Sequence, residues 1–234
     1  MEHNRIFKWN SSLLSTAYFP PVEYFVVLAN SKTSNIEACE IFQKQSYRSR
    51  CYIYSANGPH ALNIPVRRGG ADFTHKLPIK EIEIDYDETW IPLHERALEA
   101  AYMNSPFFQF YKDDIFKILD SKEKFLFDLN MKLTELLLQM AGIKADIRPT
   151  TNYSKITPAT VSATEYNLSG CGEIADFRAV IHPKSKQPSL LKQLQMEKPY
   201  WQVFSSKQGF IPNLSVLDLL FNEGPNAITY LLKD

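Results

Sequence analysis

The densest chemistry in this chain is a pair of arginines, two residues apart, close behind two glutamates. They lie in Ile36-Glu37-Ala38-Cys39-Glu40-Ile41-Phe42-Gln43-Lys44-Gln45-Ser46-Tyr47-Arg48-Ser49-Arg50. On a strand, the spacing of Arg48 and Arg50 puts both guanidinium groups on one face, where forked donors suit a carboxylate or a phosphate. Lys44 and Tyr47 extend that anion site. Glu37 and Glu40 counter the charge or serve as acid and base. The competing reading is a solvated hairpin whose surface ion pairs contribute about 0–1 kcal/mol each.

A second constellation is Asp176-Phe177-Arg178-Ala179-Val180-Ile181-His182-Pro183-Lys184. If this is a strand, Asp176, Arg178, Val180 and His182 share a face, so that an acid, a guanidinium and an imidazole converge, with Lys184 just beyond. A solvent-facing strand edge accounts for the same pattern. His94 stands at helical spacing with Leu98 and Ala101, near Trp90, as a general base or as a satisfied half-buried histidine. Asp128 falls on the wet face of a helix, and Asp218 reads as a helix cap. Gly69-Gly70 and Gly170-Cys171-Gly172 are ligand-cradling loops or plain turns. No metal site is expected, because His3, His60 and His75 lack ligand-spaced partners and the cysteines form no C-x-x-C pair. No cofactor is expected either, since the phosphate-binding, nucleophile-elbow and zinc-protease motifs are all missing.

Three regions must position these residues. The first, residues 13–86, reads as mostly antiparallel strands. Residues 49–54 and 60–66 flank Asn57-Gly58-Pro59 as a hairpin, and Ile82, Ile84 and Tyr86 alternate with Glu81, Glu83 and Asp85 as a half-buried strand. Within this region residues 21–29 fit either helical spacing or a buried strand, and the short helix is preferred because Pro21 can open one. The second, residues 92–142, is a three-helix region: Pro92, Ser105-Pro106 and Ser121 mark the starts and Gly142 the final stop. The third, residues 143–234, is mixed, with short strands at 177–181 and 200–204 and a helix at 189–196. Ser215-Val216-Leu217-Asp218 opens a last helix, which Gly224-Pro225 ends. The fold class expected is α+β in a single domain over residues 1–234, divisible into 1–142 and 143–234.

Composition bounds the partners. Over 234 residues, 26 Lys+Arg balance 26 Asp+Glu, so no basic surplus points to nucleic acid. The apolar run Phe25-Val26-Val27-Leu28-Ala29 stops at Asn30, far short of the roughly 20 residues a membrane span needs. The first residues lack the apolar core of a secretory signal, so a cytoplasmic location is the expectation. The partner expected is a small anionic or sugar-derived ligand; the composition leaves the oligomeric state open.

Several stretches together resemble the WbqC-like protein family, in particular its Bacteroidetes-type branch. They are Tyr18-Phe19-Pro20-Pro21, Glu37-x-x-Glu40, Lys44 to Cys51, Leu62-Asn63-Ile64-Pro65-Val66, Trp90-x-x-x-His94, Ala101-Tyr102-x-x-Ser105-Pro106-Phe107-Phe108, Asp128-x-Asn130, Asp176-x-Arg178 with Pro183-Lys184, and Gly209-Phe210 through Gly224-Pro225. The chain departs from the broader family at Ser15-Thr16-Ala17, where many members carry His-Gln-Pro. What the resemblance implies is a role in surface-polysaccharide or unusual-sugar biosynthesis, without a prescribed reaction. The expectation is therefore a cytoplasmic transferase acting on a sugar, sugar-acid or acyl donor. Glu37, His94 and Asp176 would be its catalytic groups; Lys44, Tyr47, Arg48, Arg50, Arg178, His182 and Lys184 would hold the ligand. A non-catalytic envelope assembly protein is the alternative, with Phe107-Phe108, Phe110-Tyr111 and Tyr200-Trp201 as its partner surface.

Overall fold

The computed structural model describes residues 8–67, 77–155 and 174–233. Its first three elements form a βαβ unit: β1 (Trp9–Ser15), α1 (Val22–Asn30) and β2 (Ser31–Glu37), with β1 and β2 parallel from Trp9↔Ser31 to Ser15↔Glu37. Every residue of α1 is buried, which explains why its sequence is apolar all round rather than striped. No loop separates α1 from β2. Asn30 ends the helix by donating to the carbonyls of Val26 and Leu231, and the Ser31 hydroxyl donates to the Val27 carbonyl.

Two short strands complete a four-stranded sheet, β5 (Ile147–Pro149) beside β2 and β6 (Ile174–Asp176) beside β1, in the order β5-β2-β1-β6. All of its pairings are parallel. The expectation of mostly antiparallel strands in the N-terminal third is therefore corrected. The cause lies in the side chains: parallel strands usually read as continuous apolar runs, but β2 is Ser-Lys-Thr-Ser-Asn-Ile-Glu. Its polar groups pair inside the sheet, Ser12 Oγ donating to Ser34 Oγ at 2.8 Å and Asn35 Nδ2 to Ser11 Oγ at 2.9 Å.

The antiparallel component is the hairpin of β3 (Arg50–Ser55) and β4 (Gly58–Asn63), located as expected, with Ser55↔Gly58 at its tip. Residues 82–86 form no regular strand. After a single 3₁₀ turn at Ile79–Glu81 they contribute only the isolated pairings Val66↔Ile84 and Glu83↔Phe125, although Ile82 and Ile84 are buried as the alternation requires. The three middle helices are α2 (Trp90–Tyr102), α3 (Phe108–Asp120) and α4 (Leu126–Met140). Ser105 and Ser121 do not cap the helices that follow them. Each donates back to a carbonyl of the helix before, Tyr102 and Ile118, and so marks an end instead of a start.

The C-terminal part adds α5 (Leu190–Gln193), α6 (Ser205–Gln208), α7 (Val216–Glu223) and α8 (Ile228–Leu231). Of these, α5, α7 and α8 pack against α1. The expected strands at 177–181 and 200–204 are turns and irregular chain. The strand lies just upstream, in β6, and stops at Asp176 because the chain folds back there: the Arg178 amide donates to Asp176 Oδ1 at 3.0 Å. Ser215 is the cap of α7, accepting from the Leu217 amide, whereas Asp218 is fully buried. Among the described residues, no helix is long and apolar enough to cross a membrane.

Candidate functional site

Parallel strands end together, so the carboxyl ends of β1, β2 and β6 place Ser15, Glu37 and Asp176 along one edge of the sheet. The chain leaves β1 toward β2 on one side, and β6 returns on the other side of β1. Such a reversal of strand order leaves a gap between diverging connections, which is where open parallel sheets bind ligands.

Arg178 spans this edge. Its Nε and Nη2 close on the Asp176 carboxylate, the latter at 2.6 Å, and its Nη1 reaches Glu37 Oε2 at 3.1 Å. Its Nη2 also donates to the Ser154 carbonyl, and the guanidinium lies 5.2 Å from the Tyr153 ring centre. Burial is the largest single effect and acts to lower its pKa, but the hydrogen bonds it donates to Asp176 and the charges of Asp176, Tyr153 and Glu37 hold the value above that of an ordinary arginine. Glu37 has no solvent exposure and accepts four donors: the Cys39 amide and Thr150 Oγ1 on Oε1, the Ser154 amide and Arg178 on Oε2. A carboxylate offers about four lone-pair sites, so none remains to take a proton from a substrate. This arrangement holds strand ends together; it is not that of a poised general base.

Arg48 occupies the neighbouring position. Its side chain is 4% exposed and forks onto Glu40, Nε to Oε1 at 2.9 Å and Nη2 to Oε2 at 2.5 Å, while Nη2 also donates to Ser15 Oγ at 2.9 Å. Asn130 on α4 secures the backbone by donating to the Arg48 carbonyl at 2.8 Å. Nη1 makes no hydrogen bond among the described residues, and the side chain lines a narrow crevice that opens to solvent. Ser15, Thr16, Tyr24, Tyr47 and Phe177 are also in the wall, so the crevice sits where β1 and β6 end. Burial pushes the phenols of Tyr24 and Tyr47 well above their ordinary value, keeping both protonated as donors.

The remaining expected residues divide. Arg50 does not share a face with Arg48. Only Arg50 belongs to β3, where it donates to Asn63 Oδ1 on the facing strand, while Arg48 precedes the strand and turns inward. Asp176, Arg178, Val180 and His182 likewise share no strand face, since β6 ends at Asp176; Asp176 and Arg178 meet through the chelate instead. His182 follows Ile181 of the crevice wall, near enough to Arg48 for that charge to lower its pKa, after burial and ahead of Lys184. Its Nδ1 accepts from the Lys184 amide, and Lys184 Nζ donates to Gln45. Lys44 is exposed on the connection between β2 and β3.

His94 lies behind the site, its Nδ1 2.9 Å from the Tyr18 hydroxyl and its ring against Trp90. Burial lowers its pKa to about 4, so the ring is neutral at pH 7. The Gly69-Gly70 and Gly170-Cys171-Gly172 clusters lie outside the described residues. Among the described residues, no three His, Cys, Asp or Glu side chains group to hold a metal ion.

One familiar use of such an edge is closed off. A helix N-terminus following the first parallel strand often binds phosphate through its open amides. Here the Val22 amide donates to the Leu214 carbonyl and the Glu23 amide to Asn213 Oδ1, so the start of α1 is already satisfied. Sequence spacing missed Ser15, Tyr24 and Asn130 as participants. Small polar residues at strand and helix positions carry no periodic signal, though Asn130 belongs to the Asp128-x-Asn130 stretch that supported the resemblance.

Fold and site define a mixed α+β protein with a polar, arginine-anchored crevice at the carboxyl edge of a parallel sheet. The chain belongs to the WbqC-like protein family, which matches residues 16–230. It is 26% identical over 230 residues to "Uncharacterized protein Rv1507c" of Mycobacterium tuberculosis (strain ATCC 25618 / H37Rv), a match covering 94% of this chain and 96% of that protein. No solved structure matches the chain.

Proposed function

We propose that this WbqC-like protein is a transferase-type enzyme of bacterial surface-polysaccharide or unusual-sugar biosynthesis, working in the cytoplasm on a small anionic, sugar-derived ligand. The observation that carries the ligand class is the Arg48 guanidinium: buried, fixed by Glu40 and Ser15, with Nη1 unpaired among the described residues and the side chain in the wall of the crevice between β1 and β6. A guanidinium held in this way recognises a carboxylate or phosphate oxygen without losing side-chain entropy on binding. Tyr47, kept protonated by burial, supplies a neutral donor beside it. His182, next in the chain to Ile181 of the crevice wall, is the imidazole assigned to proton transfer, because the Lys184 amide fixes its Nδ1 as an acceptor and leaves Nε2 to carry the proton. In this reading Glu37, Asp176 and Arg178 are positioning residues that brace the strand ends.

Calorimetric titration of the full chain with glucose 1-phosphate, glucuronate and glucose tests the ligand class. The anions are expected to bind and glucose to bind at least about tenfold more weakly, with the advantage lost in Arg48→Lys. Equal affinity for anions and glucose, or anion binding unchanged in Arg48→Lys, would remove the basis of the proposal. Loss of an envelope sugar on deletion of the gene, restored by wild type but not by Arg48→Lys, tests the pathway. The assembly-protein reading keeps one observation in its favour: Phe110 and Trp201 are 76% and 52% exposed, although Phe108 of the same aromatic set is fully buried.

A further inference from the structure

A second pocket shares no lining residue with the crevice. It is a shallow cleft, open at its mouth, between the 196–200 segment, the 210–213 segment and Tyr230. Tyr200 is one of its walls. The Phe210 ring stands 5.2 Å from it at 79°, and the Tyr230 ring 5.6 Å from it at 74°, so two rings stand nearly perpendicular to a third. Tyr200 is fixed in this pose by donating its hydroxyl proton to the buried Asp218 Oδ2 at 2.7 Å.

Into this aromatic setting comes one unanswered acceptor. Glu197 lines the pocket, and its Oε2 is buried with no hydrogen-bond partner among the described residues. A buried acceptor left unpaired costs about 1–3 kcal/mol, so the site gains when a donor arrives. Aromatic faces carry negative potential and attract cations. An anion would meet both the carboxylate and those faces, and is excluded. A quaternary ammonium would satisfy the rings but bring no N–H to Oε2. The other charged group in the lining, Lys198, extends its Nζ toward the Thr229 carbonyl at 3.5 Å. Met196, buried at the pocket wall, gives the carbon chain of a ligand an apolar surface.

We propose that this pocket binds a small molecule bearing a primary ammonium group, which donates to Glu197 Oε2 while its alkyl portion packs against Tyr200, Phe210, Tyr230 and Met196. The test is NMR titration of the full-length protein with n-propylammonium and with its neutral counterpart n-propanol. n-Propylammonium is expected to shift the Met196 methyl and the three ring signals saturably, and n-propanol to bind at least about tenfold more weakly. In Glu197→Gln the n-propylammonium affinity is expected to fall about tenfold, to the level of n-propanol. Equal binding of the two probes by wild type overturns the proposal, and so does unchanged n-propylammonium affinity in Glu197→Gln. The comparison on wild type stands even if the variant does not fold. Since Arg48 and Ser15 contribute nothing to this pocket, its failure leaves the anion reading of the crevice intact.

Discussion

Arg178 Nη1 meets Glu37 Oε2 at 3.1 Å across the end of β1, joining β6 to β2, two strands that are not neighbours in the sheet. The same guanidinium holds Asp176 at the end of its own strand. One side chain therefore ties the ends of β6 and β2 together across β1 into a fixed rim, and the crevice opens beside that rim. Charge explains the economy of this arrangement: two buried carboxylates share one cation, and backbone amides of Cys39 and Ser154 with the Thr150 hydroxyl make up the deficit at Glu37.

Removing the cation should cost more than a surface pair would. Breaking a buried ion pair from one side typically costs about 3–5 kcal/mol, because the remaining charge is stranded. Arg178→Met is expected to lose about that much in urea denaturation at pH 7. In the double variant Glu37→Gln/Arg178→Met the combined loss should fall short of the sum of the two single losses by at least about 1 kcal/mol. Additive losses would mean that the two side chains do not act as a unit.

Two buried groups should pull stability in opposite directions as the solution is acidified. Burial lowers His94 from 6.5 to about 4, so the unfolded chain takes up this proton first. The contribution of His94 is whole above pH 6.5 and drains away between 6.5 and about 4, by about 3 kcal/mol. Burial raises Asp218 from 3.8 to about 6, against the bonds from Tyr200 and Gln202, so here the folded chain takes up the proton first. Its penalty, also about 3 kcal/mol, is relieved as pH falls from about 6 to 3.8. Relative to wild type, His94→Phe is expected to become more stable on acidification and Asp218→Asn less. Parallel stability curves for the three proteins between pH 4 and 7 would refute both assignments.

The β3–β4 hairpin, α1 and the three middle helices were legible because each has a local signature: a turn at Asn57-Gly58, Pro21 before an apolar run, and stripes at three and four. The parallel sheet was not, since Ser12, Ser34 and Asn35 satisfy one another across strands and leave no alternation to read. The site was half legible. Residue types identified Glu37, Arg48, Asp176 and Arg178, but their partners depend on which strand ends meet. Arg48 does not pair with Arg50 because the strand begins two residues later than that pairing needs, and Asp218 reads as a cap because burial of an isolated acid has no sequence mark.

Gly224 ends α7 at φ 54° and ψ −128°, a combination that glycine alone adopts freely. A Cβ there would also stand 2.5 Å from the Phe107 ring. Gly224→Ala should therefore cost about 2–4 kcal/mol, combining backbone strain with overpacking. Adding Phe107→Leu should restore part of the loss, since it relieves the clash and leaves the strain. Thermal denaturation of the single and double variants separates the two contributions, and a double variant no better than Gly224→Ala would assign the whole cost to the backbone.

Ser15 offers a control for the role given to Arg48. Its hydroxyl accepts from Arg48 Nη2 at 2.9 Å and donates to Glu40 Oε2 at 3.2 Å, so it stiffens the pair without engaging Nη1. Ser15→Ala should cost about 1 kcal/mol of stability, the ordinary net worth of such bonds. It should change affinity for glucose 1-phosphate by no more than about twofold, because Glu40 still fixes the guanidinium through two bonds. Arg48→Lys keeps the charge and loses the fork, so its anion affinity should fall about tenfold while Glu40 retains a cationic partner. Stability and binding thus respond to different atoms of one cluster. If both variants lost affinity in proportion to their loss of stability, Arg48 would be a brace for the sheet edge and not the contact for an anion.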